Sequence, residues 1–304
     1  MSYPIIVSPH KFGIKNDLDR VFFPIMLSCL IQSNPNAKIY LPNENPFNLN
    51  INGIEEISFD SERLGDIREL RKVYVHLSTN PLAFELACIE RFFILRHISK
   101  QFQIENFFTV ESDCLIFKDI NLINNHLGIA NSISLLTDLT CISTAYITSY
   151  FLEAFCVGVL NAYNTPSIVE SMKSWYSEYI ASGKKGGICD MSFCNAIRTG
   201  WLNFEKLDVV DISTIYEWNG NFHAYDNFFS RNRLGLKNSE IVMSESIFDS
   251  YPAKKYSIDS EGIFVMTVDQ RKVYLNSMHG QGNNKKLMGL IYCQLTAMSY
   301  FARL

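Results

Sequence analysis

Between Tyr3 and Asp119 short apolar runs alternate with longer amphipathic ones, and this alternation constrains the fold more than any other feature of the chain. "YPIIVS" reads as a strand over residues 3–8. "NDLDRVFFPIMLSCLIQSNPN" reads as a helix starting near Asn16. Asp17 and Asp19 suit its positive end, and Pro24 kinks or restarts it. "AKIYLP" is a second strand, closed by Pro42, and "IEEISFD" a third, ending in Asp60. Consecutive strands joined through a helix must run parallel, because only a long crossover returns the chain to the same sheet edge. The expected class is therefore α/β, a central and mostly parallel sheet flanked by helices. Ligands of such sheets bind beyond the carboxyl ends of the strands.

The next segment carries the first candidate chemistry. "PLAFELACIERFFILRHISK" is a strongly apolar helix, with Pro81 in its first turn and Asn80 as its cap. Arg91 interrupts its apolar face. It either snorkels outward, the commoner behaviour, or meets an anion. "FFTVESDCLIFKD", residues 107–119, begins as a buried strand and then presents Glu111 and Asp113 before returning to apolar residues. In an extended chain residues i and i+2 point the same way. The two carboxylates would then face one divalent cation, or the sugar edge of a nucleotide. Magnesium and manganese take such oxygen ligands and bridge to phosphate. Two solvated acids in a turn are the plain alternative.

Further along, "ISLLTDLTCIST" is a strand or a pair of strands, and "AYITSYFLEAFCVGVLNAY" a helix ending near Asn164 and Pro166. "SIVESMKSWYSEYIASGKKGG" is another helix, with Glu170, Lys173 and Glu178 on its polar face. "ICDMSFCNAIRTGW" is a short one with Asp190 near its start. "FVMTVDQRKVYLNSM" is a hairpin turning at Asp269 and Gln270. "HGQGNNK" follows, a second constellation. His279 can ligate a metal, Gly282 lets backbone approach a phosphate, and Lys285 offers a point charge to a diphosphate. A basic, glycine-rich loop is the plain alternative. Aromatic-rich "NGNFHAYDNFF" places His223 near Asp226, either lining an acceptor cleft or anchoring a surface loop. His10, a lone histidine after the first strand, either borders the nucleotide base or has no role there. Residues 1–304 are expected to form one domain. Residues 1–120 and 121–290 are expected as its two halves, with the glycine-rich motif closing the second, and 286–304 as a terminal helix.

Composition narrows the classes. A net charge of -4 with no dominant basic patch argues against nucleic acid as a partner. The eight cysteines include no CxxC pair, which suits reduced thiols in a cytosolic protein. Cys88, Cys156 and Cys293 sit in apolar runs and read as core. No signal peptide opens the chain, and its apolar runs are too short to span a bilayer. The expected location is the cytoplasm. A peripheral contact with the inner face of a membrane is allowed by the apolar end, including Leu290, Ile291, Tyr300 and Phe301. No GxSxG, GxGxxG after the first strand, or GxxxxGK[ST] occurs.

Taken together the two constellations resemble a GT-A glycosyltransferase, and most the retaining branch that includes glycogenin and the lipopolysaccharide galactosyl- and glucosyltransferases. That family has a DxD after a strand, matched here by "ESD", and an HxxGxxK matched in full by His279, Gly282 and Lys285. The resemblance covers roughly residues 3 to 290. It implies Glu111, Asp113 and His279 around Mn2+ or Mg2+, with Glu111 also able to face the ribose. It implies Gly282 and Lys285 on the donor diphosphate, Arg91 orienting the donor, and Asp190 as the catalytic acid near the sugar. Asp190 stands in "CDMSF" where relatives have "DQ". The implied activity is transfer of a sugar, with retention, from a UDP-sugar to a glycan or lipid-linked saccharide in polysaccharide synthesis. Glu111 in place of an aspartate leaves a second reading open, a catalytically silent nucleotide-sugar or glycan-binding protein of the same fold.

Overall fold

The computed structural model describes residues 3–8, 17–44, 49–123, 131–136, 139–210, 222–223, 243–244, 253–254, 256–260, 262–266, 270, 272–275, 277–279 and 285–297. Its centre is a seven-stranded sheet. Strands β1 (Ile5–Val7), β2 (Ile39–Asn43), β3 (Ile54–Ser58) and β4 (Asn106–Val110) run parallel in the order β3-β2-β1-β4. The small strand β5 (Cys114–Ile116) leaves this sheet. β6 (Asn131–Leu136), β7 (Leu139–Thr148) and β8 (Val209–Val210) extend it in the order β7-β6-β8, with β7 antiparallel to both β4 and β6. The expected class, an α/β fold with a mostly parallel sheet between helices, is the one observed.

Period-two alternation along β1 divides the protein into two cores. Ile5 and Val7 face one side, Ile6 the other, and all three are buried. On the first side lie α1 (Asp17–Ser33), β5 and a C-terminal helix; on the second lie α2 (Gly65–Val73), α3 (Leu82–Phe102) and the helices of the middle of the chain. Helix α1 buries Phe22, Met26, Cys29 and Leu30 at helical spacing, so Pro24 does not end it. The proline sits on the exposed face, where water can satisfy the carbonyl that lost its hydrogen bond. Helix α3 begins one residue later than its sequence signals suggest. Pro81 is the cap residue, and Asn80 instead donates to Glu85 Oε1 at 2.7 Å.

Helices α4 (Ser149–Asn164), α5 (Pro166–Ala181) and α6 (Asp190–Thr199) complete the second side. The first of these was expected from Ala145, but Ala145–Thr148 are the end of β7. Thr148 caps the helix, accepting from the Phe151 amide at 3.1 Å. β-branched Ile147 and Thr148 favour the strand, and the sheet edge supplied by β4 decides it. Strands β9 (Phe222–His223), β10 (Met243–Ser244), β11 (Ala253–Lys254), β12 (Tyr256–Asp259), β13 (Gly262–Met266), β14 (Lys272–Leu275) and β15 (Ser277–His279) form smaller sheets, followed by α7 (Lys285–Ala297). The hairpin expected near Asp269 is present as β13 and β14, paired Met266 to Lys272; Asp269 itself lies outside the described residues. Helix α7 buries one stripe, Met288, Ile291 and Leu295, while Leu290 is exposed. It packs on α1, and Tyr300 and Phe301 lie outside the described residues. No helix among the described residues is long and apolar enough to cross a membrane.

Candidate active site

The acidic pair does not lie on an extended strand. β4 ends at Val110, and the Cys114 amide donates to the Glu111 carbonyl at 3.1 Å, closing a tight turn over Glu111–Cys114. The same-side argument from strand geometry therefore fails for Glu111 and Asp113. The reason is that β4 and β5 belong to different sheets, and the chain must turn sharply between them. The turn projects at the carboxyl end of a central parallel strand, where α/β sheets place their ligands. The Glu111 amide donates to the Ser143 carbonyl of β7 at 2.8 Å, which fixes where the turn starts.

β5 pairs antiparallel with β15, and the register sets His279 opposite Cys114, next to Asp113. The pairing joins, at the level of backbone, two constellations whose nearest members, Asp113 and His279, lie 166 residues apart in the sequence. The side chains of His279 and Lys285 lie outside the described residues, as do Gly282, His10 and Asp226 whole; the backbone of Lys285 opens α7 and that of His223 lies in β9.

Arg91 does not snorkel. It is 6% exposed, and its guanidinium bridges two acids, Nη1 to Glu111 Oε1 and Nη2 to Asp190 Oδ2. The bridge ties the middle of α3, the β4 turn and the first residue of α6 into one buried cluster. Burial works against the charged form of Arg91, yet Glu111 and Asp190 outweigh it and hold its pKa well above the ordinary value. The same acids, with burial as the larger cause, push the Cys88 thiol up.

Asp190 reaches the cluster because of a close backbone approach. Residues 186–188 run beside 77–79, with the Ile188 amide donating to Leu77 O at 2.8 Å and Thr79 to Gly186 O at 3.0 Å. A Cβ on Gly187 would stand 2.1 Å from Leu77 O, so only glycine permits this spacing. The chain then enters α6, where Ser192 Oγ accepts from the Cys189 amide at 3.2 Å. Arg91, singled out from sequence as one basic residue on an apolar face, thus has both partners named in advance as candidate site residues. Its guanidinium bridges these two carboxylates. Sequence inspection did not reveal that link, since its partners stand 20 and 99 residues away.

Two carboxylates against one guanidinium leave a net negative charge, and Asp113 adds another. Glu111 gives one oxygen to Arg91. The oxygen donors of Glu111 and Asp113 fit a hard divalent ion in kind. Among the described residues no three His, Cys, Asp or Glu side chains assemble as a metal-binding group. The seven described cysteines are free thiols; Cys156 is buried, but Cys293 is exposed on α7 and not core as its apolar run suggested.

No protein-family model matches the chain, and no curated protein matches its sequence. Several solved structures resemble it in the course of the chain. Mouse xyloside xylosyltransferase 1 in its apo form aligns at 13% identity and TM-score 0.42, over 68% of this chain and 85% of that one. Galactosyltransferase LgtC in complex with donor and acceptor sugar analogs aligns at 9% and 0.32, over 64% and 70%. Glycosyltransferase GlyE from Streptococcus pneumoniae TIGR4 aligns at 10% and 0.31, over 72% and 48%. At such identities and scores these likenesses assign no residue a role. The architecture itself is a mostly parallel sheet between helical layers, with an acid-bearing turn at the end of β4.

Proposed function

We propose that the protein is a glycosyltransferase that moves a sugar from a nucleoside-diphosphate sugar, a UDP-sugar by the sequence resemblance, to a hydroxyl of a glycan or lipid-linked saccharide. One observation carries this reading: the β5–β15 register brings His279 beside the Glu111–Asp113 turn. An acidic turn alone has many uses. An acidic turn joined to a motif rich in diphosphate-binding residue types suits one ligand that carries both phosphate and sugar.

In this reading Glu111, Asp113 and His279 hold Mn2+ or Mg2+, and Gly282 with Lys285 receive the diphosphate. When bound, the ion would offset the negative charge of the departing nucleoside diphosphate. The chain's own contribution is placement. Arg91 holds Glu111 and Asp190 in fixed positions, so Asp190 meets the sugar with its carboxylate already oriented. In the transfer the acceptor oxygen bonds to the anomeric carbon as the bond from that carbon to the diphosphate breaks, and the hydroxyl proton is released. Retention follows from the resemblance alone, while the cytoplasmic location rests on the cysteine pattern and a peripheral membrane contact for a lipid-linked acceptor on the apolar residues near the end of the sequence.

Titration of UDP into the protein tests the site. Binding should be much tighter with Mn2+ than with EDTA, and equal affinity in both buffers ends the metal role. The second reading, a silent binding protein, is favoured by Arg91, which already neutralises part of the acidic charge. It predicts UDP binding without release of nucleoside diphosphate from any sugar donor.

A further inference from the structure

A concave surface lies on a different face of α6 from Asp190. A cleft of about 510 Å³ is lined by Trp175, Ser192, Asn195, Thr199, Gly200 and Trp201. Its volume is in the range of small-molecule sites, ~300–1,000 Å³. Asn195 stands five residues beyond Asp190, roughly 140° round the helix at 3.6 residues per turn. The two sites therefore share a helix and use different faces of it.

The lining combines aromatic faces with unspent donors. Trp175 stacks on Tyr179, one turn along α5, with centroids 4.8 Å apart, and meets Trp201 at 5.7 Å and 55°. Both indoles rest on the second core and stay partly exposed. Neither indole N–H has a hydrogen-bond partner among the described residues. Arg198 donates to Asn195 Oδ1 from Nε at 3.1 Å and from Nη2 at 2.7 Å. That fixes the amide's orientation and leaves its NH2 to donate, again with no partner among the described residues. Trp201 is presented by a turn in which Gly200, Leu202 and Asn203 all have positive φ, at 79°, 55° and 59°. Leucine rarely adopts that conformation, and packing of Leu202 on the core holds it there.

We propose that this cleft is a saccharide-binding subsite. A pyranose has an apolar C–H face that stacks on an indole and a rim of hydroxyls that accept from N–H groups. Flat aromatics set at an angle, with three unspent donors, match that amphipathic chemistry. A purely apolar ligand would leave the donors unpaired, and none of the six lining residues carries a charge to hold an anion. The subsite stands on its own chemistry and goes beyond the transferase reading: it would hold a glycan at a distance from the reacting sugar, as an extended acceptor requires.

Two of the chain's three tryptophans line the cleft, which makes fluorine NMR of 5-fluorotryptophan-labelled protein a direct readout. The third, Trp218, is assigned by Trp218→Phe. Lactose, maltotriose, cellotriose and chitotriose are each titrated to millimolar concentration, and UDP with Mn2+ separately. The expected result is saturable shifts of the Trp175 and Trp201 resonances with at least one saccharide, weakened about tenfold or more by Trp201→Leu or Asn195→Ala. No shift with any saccharide, or a shift of Trp218 alone, overturns the proposal, and the first of these outcomes needs no variant. UDP binding without saccharide shifts would sink the subsite and leave the transferase reading standing. Saccharide shifts without UDP binding would do the reverse.

Discussion

Replacing Arg91 by methionine should destabilise the protein more than any loss of surface charge could. Arg91, Glu111 and Asp190 have side-chain exposures of 7%, 12% and 6%. Methionine matches the length of the stem but removes the guanidinium, leaving two largely buried carboxylates without the charge that bridges them. Breaking a buried ion pair by removing one partner costs ~3–5 kcal/mol, mostly the penalty of the charge left behind. Against a total stability of ~5–15 kcal/mol that is a large fraction. At roughly 2 °C per kcal/mol for a chain of this length, the melting temperature should fall by on the order of 6–10 °C. Arg91→Lys should fall between, since an ammonium keeps the charge but cannot bridge both acids as a planar fork does. The decisive comparison is the triple variant Arg91→Met, Glu111→Gln, Asp190→Asn, which removes the stranded charges as well and should regain at least half the loss. Urea denaturation measures all three. A cost under ~1 kcal/mol for Arg91→Met, the value typical of exposed pairs, would refute the buried bridge.

Gly187→Ala should cost ~1–3 kcal/mol or more through the clash with Leu77 O, while Gly65→Ala, where an added Cβ meets nothing within 4 Å, should be neutral or slightly stabilising by thermal melt. Stability should decline in alkaline solution. Burial is the main cause pushing the Cys189 thiol up to about 12, while in the unfolded chain it ionises near ~8.5. The unfolded state therefore loses its proton first. The contribution is intact below about pH 8.5 and falls between there and about pH 12, and Cys189→Ala should flatten part of that decline in urea titrations. Lys285→Ala should lower turnover while leaving the melting temperature nearly unchanged; unimpaired turnover would mark the lysine as surface.

The parts of this protein legible in its sequence are those where local signals and tertiary context agree. The parallel half was readable because Ile5, Ile39 and Phe108 come from β-rich runs that also pair with one another. The acidic motif was readable as an interruption in a buried run. What was not readable depends on contacts between distant segments. The turn at Glu111–Cys114 exists because β5 pairs with β15 rather than staying in the main sheet, and residue types near 111 do not encode a partner near 279. Arg91 looked like a snorkelling side chain, because nothing around it announces Asp190. The β7 extension through Thr148 was hidden by a helical apolar pattern that starts earlier than the helix. The aromatic cleft left a faint signal, Trp175 and Tyr179 one helical turn apart, but its second wall arrives only with Trp201.

The proposed transfer chemistry is tested most directly by incubating the protein with a panel of UDP-, GDP- and CDP-sugars and measuring free nucleoside diphosphate. Even without an acceptor, water can take the sugar slowly, so no knowledge of the acceptor is needed. The transferase reading predicts release of diphosphate from at least one donor, dependent on Mn2+ or Mg2+ and reduced by a hundredfold or so in Asp113→Asn, in line with removal of one transition-state contact. Binding of UDP with no release from any donor, or release that Asp113→Asn leaves unchanged, would contradict it.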